Sequence, residues 1–284
     1  MSIESLAWLA WVALGAALAY VAAALFLYLM QRRIIYASSR EEPLAEPLDG
    51  RMPEEIFSTA PDGPRCRHWL WTARDPDKPI IVLLQGNAGH IGHRLDCYDF
   101  LVEAGFGLCL IGYRGFSGNP GQPDEAGLIA DAQAAIAALR ARLPGVRLIL
   151  YGESLGGAVA VAVAARGEQA PMILDCPFDS LVSSAKRRYP WLIVSPLLKE
   201  RWDSIARIGS VTQPLLWVHG SEDPVTPCSA GRKLFEAAPG PKTSLVVEGG
   251  GHLGLYDEPE ARKTLFDWLA RYGKLDALQE QGRA

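Results

Sequence analysis

Residues 148–165 read LILYGESLGGAVAVAVAA, so an apolar strand pattern, a short glycine-rich turn and an apolar helix pattern follow one another directly. The turn contains the pattern G-x-S-x-G, with Ser154 between Gly152 and Gly156. A nucleophile on such a turn has strained backbone dihedrals, and small residues two positions away on either side let the chain bend. The pattern alone is common, but its strand-turn-helix context predicts that Ser154 is a nucleophile above the end of a sheet.

An acid and a histidine must follow the serine along the chain if this architecture is to carry a catalytic triad. The strand pattern at residues 215–218 runs into a loop that contains Asp223, just past the carboxyl end of the strand. Asp223 is therefore the predicted acid. Asp175, Asp179 and Glu222 are the alternatives, because each also lies at or after a strand end.

The predicted base is His252, which follows the strand pattern at residues 244–247, Glu248 and three glycines. Those glycines permit an irregular loop that turns the imidazole back over the sheet. The remaining histidines, predicted to have structural roles, are His68, His90, His93 and His219. His90 and His93 could be imagined as metal ligands, but no third ligand accompanies them, so no metal site is predicted.

The loop at residues 85–90, QGNAGH, follows the first central strand with small residues that can expose backbone N–H groups. An acyl-transfer site needs two such donors for the oxyanion, one from the residue after the nucleophile and one from a loop like this. The predicted donors are Leu155 and either Asn87 or Ala88. The alternative is a tight turn that only joins a strand to a helix.

Short apolar runs alternate with longer helical patterns along the chain, which is typical of a mostly parallel sheet with helices on both faces. Asp62-Gly63 predicts a hairpin that pairs residues 54–59 and 66–72 antiparallel at the sheet edge. The other strands are predicted at residues 80–84, 108–113, 148–151, 172–175, 215–218 and 244–247. Eight strands fit one α/β domain, and the clearest helix pattern covers residues 124–142.

The domain is predicted to cover residues 54–273, after a Pro-rich linker at 32–53 and before a polar tail at 274–284. Residues 178–209 break the alternation of strands and helices and are predicted to form an inserted cap. The basic run 186–188, beside aromatic and aliphatic residues, is able to rest on anionic headgroups and admit acyl chains. A solvated basic surface is the alternative.

The N-terminal residues 5–31 are predicted to form a transmembrane anchor. From Leu6 to Met30 the chain is almost wholly apolar, and about 25 residues at about 1.5 Å each exceed a hydrocarbon core of about 30 Å. A cleavable signal peptide is the alternative, but the run is too long for one and no Lys or Arg precedes it.

Arg32 and Arg33 follow the anchor directly, and the positive-inside bias then places the following domain in the cytoplasm. Gly15, Ala19 and Ala23 recur every four residues, so one face of the helix is small enough for a second helix to approach. A homodimer through this face is a prediction, with alanine as simple filler the alternative.

The composition excludes several classes of protein. The formal net charge is −4 over 284 residues, so no global basic field would hold nucleic acid, and no nucleic-acid partner is predicted. The five cysteines, an odd number at irregular spacing, are predicted to be free thiols, and they match neither a disulfide framework nor a zinc site.

The chain resembles the α/β-hydrolase superfamily and, within it, the BEM46-like group of membrane-anchored hydrolases that includes the ABHD13 and ABHD17 types. The resemblance rests on QRRIIY at residues 31–36, GNAG at 86–89, YRGFSG at 113–118, GESLGG at 152–157, HGSED at 219–223 and GGH at 250–252. It covers essentially the whole chain. Two positions depart from it, because the group usually carries His where Gln85 stands and Asn where His90 stands.

The predicted activity is hydrolysis of acyl or lipid esters by a Ser154, Asp223 and His252 triad without metal or organic cofactor. The same triad serves thioesters and amides, so a depalmitoylase-like thioesterase is the main alternative. An aminopeptidase and a non-catalytic hydrolase-fold scaffold are more distant. Arg114, which follows a strand at the same face, is predicted to brace its loop, with substrate contact the alternative.

Overall fold

The computed structural model describes residues 3–273, and the side chains of residues 4–273. The strands are β1 (Ala37–Ser38), β2 (Glu54–Thr59), β3 (Arg65–Trp71), β4 (Ile80–Leu84), β5 (Ala88–Gly89), β6 (Gly107–Ile111), β7 (Leu148–Glu153), β8 (Met172–Asp175), β9 (Leu215–Gly220) and β10 (Lys242–Val247). The helices are α1 (Ile3–Ile35), α2 (Leu95–Glu103), α3 (Glu125–Arg142), α4 (Leu155–Ala165), α5 (Leu181–Arg188), α6 (Ser204–Arg207), α7 (Cys228–Ala237) and α8 (Pro259–Tyr272). The predicted tail at 274–284 lies outside the described residues.

Eight strands form one sheet in the order β10-β9-β8-β7-β4-β6-β3-β2. The pairs from β10 to β6 are parallel, whereas β3 pairs antiparallel with both β6 and β2. The predicted eight-stranded sheet with an edge hairpin is therefore confirmed. The sequence did not reveal a second sheet of two residues per strand, in which β1 pairs with β5, because segments this short have no periodicity.

The core lies in two layers because the central strands are covered on both faces. Val82 of β4 packs with Leu128 of α3 and Val159 of α4 in one buried cluster. Ile81, one residue earlier, packs in the other cluster, which includes Leu101 of α2. Alternation of side chains along a strand thus divides a continuous apolar run between two helical layers.

Helix α1 contains 33 residues and is longer than the predicted anchor, because it continues without a break to Ile35. It is the one helix among residues 3–273 that is long and apolar enough to cross a membrane. The residues that follow it, predicted as a linker, run along the domain and supply β1. Residues 178–209 contain α5, an irregular segment and α6, and they lie over the carboxyl ends of the strands, near Ser154.

Candidate active site

Ser154 lies on the turn between β7 and α4 with a positive φ of +52° and a ψ of −110°. A non-glycine residue seldom adopts positive φ, so this strain must be held by its surroundings. The Ser154 N–H donates to the carbonyl of Asp175 at 2.8 Å, and a β-carbon on Gly156 would overlap the carbonyl of Leu84. The sequence pattern is therefore explained by sterics, since only glycine fits where the turn presses on β4.

Asp223 and His252 are joined by a hydrogen bond of 2.7 Å from Nδ1 of the imidazole to Oδ2 of the carboxylate. The other carboxylate oxygen accepts the N–H groups of Val225 and Thr226, each at 2.8 Å. Burial opposes ionisation of Asp223, but hydrogen bonds from His219, His252 and Thr226 outweigh it and hold its pKa well below the usual range. An ionised Asp223 fixes Nδ1–H on His252, which leaves Nε2 as the atom able to accept a proton.

His219 lies directly behind this pair and is fully buried. Its Nδ1 accepts the indole N–H of Trp217 at 3.2 Å, so Nε2 carries the proton. That N–H donates to the carbonyl of Thr226 at 2.8 Å and lies 3.3 Å from Oδ2 of Asp223. His219 thus supports the acid, a role that its position four residues before Asp223 could have indicated.

None of the three alternative acids is hydrogen-bonded to His252 among the described residues. Asp175 accepts the hydroxyl of Tyr151 at 2.6 Å, and burial, with Glu153 nearby, raises its pKa to about 6. Asp179 forms an ion pair of 3.2 Å with Lys233. Glu222 is exposed. Within residues 4–273 the hydrogen-bonded partner of His252 is Asp223.

The Ser154 hydroxyl and His252 are not joined by a hydrogen bond within the described residues. Such bonds are often long in enzymes without bound substrate and shorten when the substrate complex forms. Cys176 lies beside the acid-base pair, and its Sγ, Asp223 and His252 present ligand-type atoms within 4.8 Å of one another. Burial raises the pKa of the Cys176 thiol, and the nearby carboxylate of Asp175 adds to the effect.

Two of the three residues predicted to supply oxyanion donors lie at the cavity. Leu155 and Asn87 line the same cavity as Ser154. Leu155 is the first residue of α4, and the N–H groups of a helix's first turn lack intrahelical partners. The side-chain amide of Asn87 donates to the carbonyl of Ile35 at 3.0 Å, which fixes this loop against α1. Ala88 pairs with Ala37 in the small sheet instead and does not line the cavity.

Glu153, which occupies the variable position before Ser154, fixes the other end of the loop. Its Oε1 accepts from Arg94 at 2.8 Å and from the N–H of Gly86 at 3.3 Å, and its Oε2 accepts the hydroxyl of Tyr98 at 3.0 Å. Arg94 also donates to the carbonyl of Ala88 at 3.2 Å. The sequence pattern assigned this residue no role, because its partners lie 55 to 67 residues away.

Two buried residues near the site, Arg114 and Gln85, differ in their hydrogen bonding. Arg114 is buried and donates both to Asp131 at 2.8 Å and to Asp62 at 3.1 Å. It does not line the cavity, so it braces its loop as predicted. Gln85 is also buried, and neither atom of its side-chain amide has a hydrogen-bond partner among the described residues.

Ser154 opens into a cavity of about 330 Å³, within the range of about 300–1,000 Å³ typical of small-molecule sites. The walls are apolar and come from the loop of Asn87, from the cap and, unexpectedly, from helix α1. Arg188 of the cap is the lining cation, and no acidic side chain lines the cavity within residues 4–273. The cavity suits an uncharged or anionic compound with an aliphatic part.

Comparison with known proteins gives consistent results. Residues 75–202 match the family model described as serine aminopeptidase, S33. The chain is 36% identical to the uncharacterized protein Rv2307c of Mycobacterium tuberculosis, over 87% of this chain and 89% of that protein. It is 29% identical to the protein bem46 of Schizosaccharomyces pombe, over 75% of this chain and 80% of that protein. Among solved structures, the esterase Pf2001 of Pyrococcus furiosus superposes with a TM-score of 0.64 at 15% identity, over 83% of this chain and 99% of that one.

Proposed function

Because this chain belongs to the α/β-hydrolase family, in its BEM46-like branch, we propose that it is a membrane-anchored serine hydrolase that cleaves acyl or lipid esters. The observation that carries the proposal is the Asp223–His252 hydrogen bond of 2.7 Å, formed at the same end of the sheet as the strained Ser154 turn. A carboxylate, an imidazole and a serine hydroxyl in this chain order are the groups that acyl transfer requires.

The first chemical step is acylation of Ser154. Nε2 of His252 removes the hydroxyl proton as Oγ attacks the ester carbonyl, and Asp223 stabilises the imidazolium that forms. The oxyanion is bound by the N–H of Leu155 and by an N–H of the Asn87–Ala88 loop. His252 then gives its proton to the leaving alcohol, the carbonyl–oxygen bond breaks and an acyl-serine remains.

The second step is hydrolysis of this acyl-serine. Water replaces the alcohol, His252 takes one of its protons, and the hydroxide attacks the acyl carbon. The bond to Oγ breaks, the proton returns to Ser154, and a carboxylic acid leaves. The steps use side chains and backbone groups of this chain, together with water, and they require no metal or organic cofactor.

The apolar cavity favours an acyl compound, but it does not distinguish an oxygen ester from a thioester, since the acyl half is the same in both. An acyl-protein thioesterase is therefore the second candidate. An aminopeptidase is disfavoured because it must bind a substrate ammonium group, whereas the charged side chain at the cavity is the cation Arg188.

The anchor belongs to this proposal as well. Residues 4–22 of α1 show no burial beyond the intermediate exposure of Ser5, as expected of a helix whose surroundings are lipid. Arg32 and Arg33 at its end favour a catalytic domain on the cytoplasmic side. The small face of Gly15, Ala19 and Ala23, of which Gly15 and Ala19 are exposed and Ala23 is half-buried, keeps a homodimer through the anchor as a prediction.

The test is covalent labelling combined with turnover. A fluorophosphonate probe is expected to modify Ser154, and Ser154→Ala is expected to abolish both the labelling and the hydrolysis of p-nitrophenyl esters. Parallel assays with an acyl thioester and an aminoacyl amide identify the preferred substrate class. Full esterase activity in Ser154→Ala, or labelling at another residue, would disprove the assignment.

A further inference from the structure

Helix α1 has two halves with different surroundings. From Leu6 to Ala22 the helix is exposed to whatever surrounds the protein. From Ala24 onward, one face of it lies against the cap and the active-site loop. Gln31 is only 6% exposed, although it belongs to the same helix as residues that are half exposed or more.

Polar contacts fix this second half to the cap. The amide of Gln31 donates to the carbonyl of Leu197 at 3.1 Å and accepts the N–H of Lys199 at 2.7 Å. Arg32 donates to the buried carboxylate of Glu200 at 2.7 Å, which also accepts the hydroxyl of Tyr36 at 3.4 Å. A helix held by several long-range hydrogen bonds is part of the domain, not a tether attached to it.

The docked face of α1 is one wall of the cavity above Ser154. The residues of α1 that line it are Ala24, Leu27, Tyr28, Gln31, Ile34 and Ile35. Their spacing of three and four places them on one side of the helix. The opposite wall includes Leu181 and Leu192 of the cap, so the space between the walls is mostly aliphatic.

The length of the exposed half places the cavity at the surface of a bilayer. Residues 4–23 are 20 residues, and at about 1.5 Å each they span about 30 Å, the thickness of the hydrocarbon core. The lining residues begin at Ala24, where that span ends. Leu25, Phe26 and Leu29, which follow, are still more than half exposed, and the apolar run continues to Met30, so a tilted helix keeps this end of the cavity in the outer part of the leaflet.

The tip of the cap reaches slightly past this level. Trp191 packs edge to face against Tyr20 with ring centroids 6.0 Å apart, and the N–H of Ile193 donates to the Tyr20 hydroxyl at 3.3 Å. Tyr20 is four residues before Ala24, or about 6 Å along the helix. Trp191 and Ile193 are 52% and 68% exposed, as expected of apolar residues immersed in the outer part of a leaflet.

We propose that residues 24–35 of α1 form a wall of the acyl-binding pocket, and that a long-chain acyl ester enters it from the adjacent leaflet between α1 and the cap tip. The inference rests on the proposed hydrolase function and adds the substrate's source and chain length. The helix then both anchors the enzyme and determines its specificity. The acyl chain moves from lipid to an apolar wall without crossing water, which avoids the cost of hydrating it.

The experiment compares two matched variants of the full chain in nanodiscs. Ala24→Trp fills the cavity from the lining face, whereas Ala22→Trp places the same side chain on the exposed half. The substrates are p-nitrophenyl acetate and p-nitrophenyl palmitate, the latter incorporated in the bilayer. We expect Ala24→Trp to lower the palmitate-to-acetate ratio of kcat/KM at least fivefold. Ala22→Trp is expected to change this ratio by less than twofold.

The entry route is tested with charges at the cap tip. Ile193→Glu is expected to lower palmitate turnover at least fivefold and to leave acetate turnover unchanged, because a carboxylate resists immersion in the leaflet. Leu44→Glu is the control, since Leu44 is even more exposed but lies away from the cap.

The outcomes separate the two proposals. An unchanged palmitate-to-acetate ratio in Ala24→Trp overturns the pocket wall, and an unchanged ratio in Ile193→Glu overturns entry from the leaflet, while acetate turnover still supports the hydrolase. A wild-type chain that cleaves neither ester overturns the proposed function itself. Retained acetate turnover also shows that each variant is folded.

Discussion

Two neighbouring parallel strands end in carboxylates that have opposite properties. Asp175 ends β8, and burial raises its pKa to about 6. Asp223 follows β9, and the hydrogen bonds it accepts hold its pKa far below the ordinary value. One oxygen of Asp175 has no hydrogen-bond partner among the described residues, whereas both oxygens of Asp223 accept hydrogen bonds.

The difference comes from the turn after each strand. After β9, the chain folds back so that the N–H groups two and three residues later reach Oδ1 of Asp223, as in an Asx turn. After β8, Cys176 has a positive φ of +46°. There the backbone carbonyl of Asp175 accepts the N–H of Ser154. The position of a carboxylate at a strand end does not keep it ionised; the hydrogen-bond donors around it do.

The largest expected effect tests this distinction by exchanging each carboxylate for an amide. Asp223→Asn is expected to lower kcat by about 10³ to 10⁴, because an amide stabilises the wrong tautomer of His252 and no longer balances its charge. Asp175→Asn, the matched control, is expected to change kcat by less than about tenfold. Steady-state kinetics on a short ester measures both, and equal losses would contradict the comparison.

The next effect concerns the buried neighbour of Asp175. Glu153→Gln removes the charge that Arg94 pairs with at 2.8 Å, and both side chains are nearly inaccessible. Breaking a buried pair leaves an uncompensated charge, so we expect the free energy of unfolding to fall by about 3–5 kcal/mol. Asp62→Asn, which removes an exposed partner of Arg114, is expected to change the free energy of unfolding much less, because solvent screens this pair. Denaturant unfolding compares the two, and similar values would contradict this explanation.

A smaller effect is the pH dependence of stability that Asp175 produces. The pKa of Asp175 is raised in the folded state from 3.8 to about 6, so the folded protein loses stability as pH rises through this window. Asp175→Asn removes that loss and keeps an oxygen for the Tyr151 hydroxyl. We expect no difference in stability below pH 4 and a gain of roughly 1–3 kcal/mol above pH 6. Thermal unfolding across pH 4–7 measures it; a gain independent of pH would count against an ionised Asp175.

The smallest effect concerns His219, which lies behind Asp223. His219→Gln disturbs one donor near Asp223 while the two backbone donors stay in place, so we expect kcat to fall about tenfold. His68→Gln is the control, since His68 is equally buried but bonds to Ser58 at 2.8 Å, far from the site. It should lower stability without changing kcat. If both variants give the same kcat, His219 does not act through Asp223.

The sequence predicts most of the sheet because each strand is identified by its own apolar run. The boundaries of β2, β4 and β8 agree with the predicted ranges. The turn around Ser154 is also identifiable locally, since the glycines that it needs lie within two residues. Asp223 and His252 follow from the rule that each lies beyond a strand end, and the structure places them in contact.

Other features of the site were hidden because they depend on contacts between distant residues. The sequence indicates no role for Glu153, because its partner Arg94 lies 59 residues away along the chain. The docking of α1 depends on Glu200, which is 168 residues from Arg32. Hydropathy predicts that the first helix is apolar, but it does not distinguish residues that face lipid from residues that line a cavity.

The uninterrupted geometry of α1 has a mechanical consequence in a chain anchored as proposed. Residues 4–23 form an outer arm of about 30 Å, and residues 24–35 form an inner arm of about 18 Å on the same rigid rod. Helices tilt to match the thickness of a bilayer, so a thinner membrane rotates the outer arm. Because hydrogen bonds join the inner arm to the cap, the domain tilts with it, and the mouth of the acyl pocket changes its depth in the leaflet. The chain-length profile of the enzyme is thus expected to depend on bilayer thickness, which nanodiscs of thinner and thicker lipids would reveal.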